Sequence, residues 1–147
     1  ERVPLREWAP VFDRYRKACL RIAAHAGENG PGSNVREAIL DGGVERIVHG
    51  VRAAEEPVLL ELLAERRIPV DICPTSNRAL MTDLGPHPLA RMLAGGVRCA
   101  LGTADPGVIP CDLESEWALA ATLGVDDAGL AALKRNSVED AWCLLGK

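Results

Sequence analysis

The residues able to do chemistry in this chain fall into four short clusters. They are His25-Ala26-Gly27-Glu28, His49-Gly50, Cys73-Pro74-Thr75-Ser76-Asn77 and Thr103-Ala104-Asp105-Pro106. Imidazoles and carboxylates at such points suit proton transfer and metal-assisted attack by water. Each cluster ends an apolar run of strand character and precedes a helical pattern. Polar clusters at successive strand ends are how a parallel β/α barrel gathers an active site on one face.

The elements that must position these clusters follow a regular order. A helical pattern from Pro10 to Lys17, with Val11, Phe12 and Tyr15 on one face beside Trp8, leads into a buried strand, Ala18–Ala24, that ends at His25. After a Gly- and Pro-rich loop, Ser33 is placed to cap a helix from Asn34 to Leu40, and Gly42-Gly43 closes it. Arg46–Val48 is the second strand, and a helix from Glu55-Glu56-Pro57 to Arg66 follows. Pro69–Cys73 is the third strand, broken by Pro74 into a polar loop. His87-Pro88 opens the next helix, His87 reading as a cap or packing residue, and Gly95-Gly96 ends it. Val97–Leu101 is the fourth strand, and Asp112 caps the helix after it. Two further helical patterns, Asp126–Lys134 and Ser137–Leu145, finish the chain.

Strand, loop and helix thus recur roughly every 25 residues, which argues for parallel strands joined by right-handed crossovers. The fold class is α/β, four parallel β/α units in one domain spanning residues 1–147. A closed barrel takes about eight such units and about 250 residues. Either a separate chain supplies the first half, or two copies associate, or four strands form an open sheet; the first is preferred.

The bulk numbers narrow the function. At 147 residues with 48% apolar content, a packed core is expected. A net charge of −4 argues against nucleic-acid and anionic-membrane binding, and no apolar run is long enough to span a bilayer. The start, Glu1-Arg2-Val3-Pro4-Leu5, carries no signal-peptide stretch and no initiator Met, so trimming or excision from something longer is expected. Five scattered cysteines without a CxxC pair read as buried thiols in a reduced, cytoplasmic setting. Trp8, Trp117 and Trp142 read as packing residues, and Arg66-Arg67 as a solvated helix end. HExxH, GxSxG, Pro-Cys-x-x-Cys, phosphate-loop and dinucleotide fingerprints are all absent from the sequence.

Taken together, His25-Ala26-Gly27-Glu28, Arg46-Ile47-Val48-His49-Gly50, Cys73–Asn77, His87-Pro88, Thr103–Pro106 and Asn136-Ser137 resemble the C-terminal half of the adenosine deaminase family, in the family's order and over nearly the whole chain. The resemblance implies the C-terminal half of a (β/α)8 barrel holding one catalytic Zn2+, whose water attacks C6 of a purine and releases ammonia. It implies that His25 is a metal ligand, that Glu28 donates a proton to purine N1, and that His49 orients and helps deprotonate the water. Asp105 would contact purine N7, with Gly27 also touching substrate. The implied substrate is a purine nucleoside or a close analogue.

Two departures qualify this. The family's His-x-His metal motif is absent, because the only histidines are His25, His49 and His87. The resemblance therefore implies a partner, an N-terminal half-barrel chain carrying that motif, in a heterodimer, or else self-association. Ala104 stands where the family has the aspartate that ligates the metal, and alanine offers no lone pair. Asp105 is not expected to replace it, since adjacent strand residues point opposite ways. A second reading, from another class, is an inactive relative that binds nucleosides or a partner.

Overall fold

The computed structural model describes residues 4–81 and 83–143. Four short strands, β1 (Ala23–Ala26), β2 (Arg46–His49), β3 (Val70–Ile72) and β4 (Cys99–Leu101), form one parallel sheet in the order β1-β2-β3-β4. The helices are α1 (Ala9–Lys17), α2 (Ser33–Leu40), α3 (Pro57–Glu65), α4 (Pro74–Leu80), α5 (Leu89–Ala94), α6 (Leu113–Thr122) and α7 (Asp127–Glu139). Strand order equal to chain order, with a helix in every crossover, is the winding of a barrel wall.

The period of two along the strands separates two environments. Ile47, Val70, Ile72 and Cys99 are buried against Val35 and Ile39 of α2, Leu59 and Leu63 of α3, and Leu89 and Met92 of α5. Their neighbours along the same strands, His25, Arg46, Val48, Asp71 and Ala100, line a cleft of about 650 Å3 on the other face. The sheet is thus apolar under α2, α3 and α5, and it carries His25, Arg46 and Asp71 on the face toward the cleft. At the lower end of that cleft Arg46 pairs with Asp71 at 2.5 Å and donates to the Asp140 carbonyl. Arg98 grips the Asp140 carboxylate at 2.9 Å, which anchors the end of α7 beneath the sheet.

Neither β1 nor β4 has a further strand beside it among the described residues, although α7 packs on β4 and its Asn136 takes the outward carbonyl of Cys99. In parallel pairing, successive residues turn their amides and carbonyls to alternate sides. Glu45 N donates to Ile22 O at 2.9 Å and Gly50 N to Ala26 O at 3.0 Å, so Ala23 and His25 turn their backbone outward. On the other side Val70 N donates to Arg98 O at 2.9 Å and Gly102 N to Ile72 O at 2.8 Å, so Cys99 and Leu101 face out.

The expected elements hold with four differences. The first strand spans only Ala23–Ala26, because Cys19 takes a left-handed φ of 60° and turns the chain off α1. The polar loop expected after Pro74 is helix α4, since proline at a first helical position carries the right φ and loses no needed N–H. Ser33 is the first helical residue of α2 rather than its cap, the cap being Gly32. The first of the last two helical patterns is α7, which runs on to Glu139, so Asn136-Ser137 lies inside it and Asn136 Nδ2 donates to Cys99 O at 3.0 Å. The second pattern is helical only over residues 137–139, and residues 140–143 lie outside any helix. Leu144 and Leu145 of the second pattern lie outside the described residues. The Asp112 cap is present as a reciprocal box with Ser115. None of the described helices is long and apolar enough to cross a membrane.

Candidate active site

The carboxyl ends of β1 and β2 turn sharply, and the turns depend on residues that tolerate positive φ. Gly27 sits at φ +65°, and a Cβ there would meet Val35 Cγ2 at 2.6 Å. Gly50 sits at φ +61°, where a Cβ would meet Val70 Cγ1 at 2.9 Å. His49, the last residue of β2, is itself at φ 68°, a costly setting for a non-glycine residue. Arg52 N donates to Gly27 O at 3.0 Å, locking the two turns together.

These turns bring His25, Glu28 and His49 into one cluster whose ligand atoms all lie within 4.8 Å of one another. His49 Nε2 is 3.4 Å from Glu28 Oε1, and the His25 and His49 ring centres are 5.1 Å apart. His49 is 2% exposed, whereas His25 opens onto the cleft. Burial holds the His49 imidazole below its ordinary range; the Glu28 carboxylate opposes this and His25 adds to it. A buried neutral imidazole beside a carboxylate and an exposed imidazole is a set able to position water and move protons. Imidazole nitrogen and carboxylate oxygen also suit Zn2+, so the donors present fit part of a zinc shell. Glu28 is held by its backbone, whose carbonyl accepts from Arg52 Nε at 3.1 Å.

Behind His49 lies a buried polar chain. Asn77 Nδ2 is 3.1 Å from His49 Nδ1, and His87 Nε2 is 3.3 Å from Asn77 Oδ1. Leu89 N donates to His87 Nδ1 at 3.3 Å, so His87 does act at the start of α5 but also reaches across to α4. Asn77, completely buried, and Arg52 were given no role by sequence reasoning. The signal for Asn77 was available: an amide in the core, four residues before Met81 on one helix face, needs polar partners.

The other two clusters are less closely joined. Asp105 is exposed and lies in the wall of the cleft that His25 opens onto. Ala104 is also exposed, at φ 56°. Cys73 is buried, and desolvation, with Asp71 and Glu116 adding, pushes its thiol up to about 12; it stays protonated. Glu116, fully buried on α6, accepts from Thr75 N at 3.2 Å and holds the start of α4. Ser76 Oγ is buried without a hydrogen-bond partner among the described residues.

A family model described as adenosine deaminase matches residues 2–145. The chain belongs to the adenosine deaminase family. It is 44% identical to the aminodeoxyfutalosine deaminase of Streptomyces coelicolor over 92% of this chain and 36% of that protein. Against the adenine deaminase of Cupriavidus pinatubonensis the identity is 42%, over 95% of this chain and 40% of the relative. Among solved structures, the adenine deaminase of Arthrobacter aurescens superposes with a TM-score of 0.85 at 32% identity, covering 95% of this chain and 43% of that one. An amidohydrolase from Burkholderia ambifaria with bound Zn gives 0.82 at 28%, covering 92% and 39%. The chain spans about two fifths of the length of these family members, and its four parallel strands are half of a barrel.

Proposed function

We propose that this chain is the C-terminal side of a deaminase barrel that removes ammonia from a purine nucleoside or a close analogue, the other side coming from a separate polypeptide. The observation that carries the reading is the convergence of His25, Glu28 and His49 at adjoining strand ends in a chain of this family. His25 would hold the zinc together with histidines of the completing half. Zinc, when bound, supplies Lewis-acid polarisation and a water of lowered pKa. Glu28 delivers a proton to purine N1, which requires its carboxyl form, and Gly27 leaves the ring room to approach it. His49 holds the attacking water. Asp105, from the cleft wall, reads purine N7. Relatives named for adenine and for aminodeoxyfutalosine leave the part of the substrate beyond the purine open.

The open edges and an underused helix support completion by a partner. Helix α1 buries no side chain fully, and Val11, Tyr15 and, just beyond it, Leu20 stand exposed. The free cysteines suit a reduced, cytoplasmic setting for such a complex. Ala104 favours one further reading, a relative that keeps the pocket without the chemistry.

The test is reconstitution. Co-expressed with a half-barrel carrying His-x-His and loaded with zinc, the chain should release ammonia from adenine or an adenine nucleoside, and Ala104→Asp should raise the rate. No ammonia from any of these with either residue at 104, from an intact zinc-loaded complex, overturns the enzyme reading and leaves the binding one.

A further inference from the structure

The chain of hydrogen bonds behind His49 has a direction, and one backbone group sets it. Leu89 N–H can only donate, so His87 Nδ1 must accept (3.3 Å). A neutral imidazole that accepts at Nδ1 carries its proton at Nε2. His87 Nε2 therefore donates, and the Asn77 atom 3.3 Å away must be the oxygen. That turns Asn77 Nδ2 toward His49 Nδ1, 3.1 Å away, which must then accept. The same NH2 group spends its other hydrogen on Met81 Sδ at 3.7 Å, an acceptor that the amide oxygen could not use. Two independent neighbours thus fix one orientation of the amide.

We infer that Leu89, His87 and Asn77 lock His49 in the tautomer with its proton on Nε2, which makes Asn77 and His87 positioning residues for His49. Burial, with Arg78 adding, lowers His87 to about 4, which keeps it neutral, as the relay requires. His49 Nε2, which carries that proton, lies 3.4 Å from Glu28 Oε1. His49 then faces the site as a donor. It cannot ligate a metal through Nε2, so of the clustered imidazoles only His25 is available to one. Resting on the deaminase reading, the consequence is that His49 orients the water by donating to it and does not, in its resting form, take the water's proton. This revises the deprotonating role that the family resemblance implied.

The tautomer can be read without any turnover. In the nitrogen-15-labelled full chain, kept with the polypeptide that completes its barrel where one copurifies, His49 should show a pyridine-like Nδ1 and a pyrrole-like Nε2. Asn77→Asp offers an acceptor at the same place and should exchange the two signals. His87→Phe frees the amide to turn and should give a mixture. In an active complex both changes should lower kcat about 10- to 100-fold with KM little moved. Nδ1 protonation in the unmodified chain, or a His49 pattern that neither variant alters, overturns the inference. Where one variant fails to fold by circular dichroism, the unmodified chain and the other variant decide. A wild-type complex with no deaminase activity but an Nε2-protonated His49 sinks the functional reading and leaves the relay standing.

Discussion

At the scale of single residues, the site separates groups that touch the chemistry from groups that hold them. Glu28 is the proposed proton donor, and its side chain, 14% exposed, lies against His49. Glu28→Gln in the reconstituted complex is expected to cut kcat by about 10²- to 10⁴-fold while the circular dichroism spectrum stays unchanged. Gly27 is the opposite case. Gly27→Ala puts a methyl 2.6 Å from Val35 Cγ2 at a φ of +65°, and should cost about 2 kcal/mol or more in a denaturant melt. At residue 104 an alanine occupies a left-handed conformation, φ 56°, that glycine takes freely and aspartate takes more readily than alanine does. Ala104→Gly should therefore stabilise the chain by about 1 kcal/mol, measurable as a raised urea midpoint. The backbone at this point suits an aspartate, which the resemblance implies there, better than the residue present.

At the scale of elements, α4 and α5 are tied to β2 through His87 and Asn77. His87 has a pKa of about 4 in the fold against 6.5 for the free side chain. Between those values the unfolded chain binds a proton that the folded chain refuses. Stability is therefore full above pH 6.5 and falls as the pH drops toward 4, by roughly 2–3 kcal/mol from this group. Urea melts at pH 7 and pH 4.5 should show that loss, and His87→Gln should reduce the difference between them. An unchanged difference would mean that other groups, His49 and the carboxylates, set the acid limit. The strand and helix positions were largely legible because the apolar periods of the chain alternate cleanly. Helix α4 was not, since Thr75, Ser76 and Asn77 look like loop residues until Pro74 is placed at a helix start and Glu116 is there to accept from Thr75 N.

At the scale of the whole molecule, the open edges of β1 and β4 and the exposed side chains around α1 leave a half-barrel with its polar interior face uncovered. Such edges are templates for pairing with another chain. Sedimentation of the purified protein should show a species heavier than 15.7 kDa, either a complex with a second polypeptide or a self-associated form; a compact monomer of that mass contradicts the proposal. The sequence by itself determined the βα alternation, the order of the strand-end clusters and the family, because these depend on residue type and spacing along the chain. It also showed that one histidine-rich motif is missing and that residue 104 lacks a ligand atom. Only the tertiary structure decided how closely His25, Glu28 and His49 meet, since it is the register of β1 on β2, with Ala26 beside His49, that brings the two strand ends together and the turn at Gly27 that brings Glu28 back over them. It alone tied Asn77 to His87, ten residues away along the chain, because the direction of a hydrogen bond is fixed by which atoms face each other and not by which residues are present.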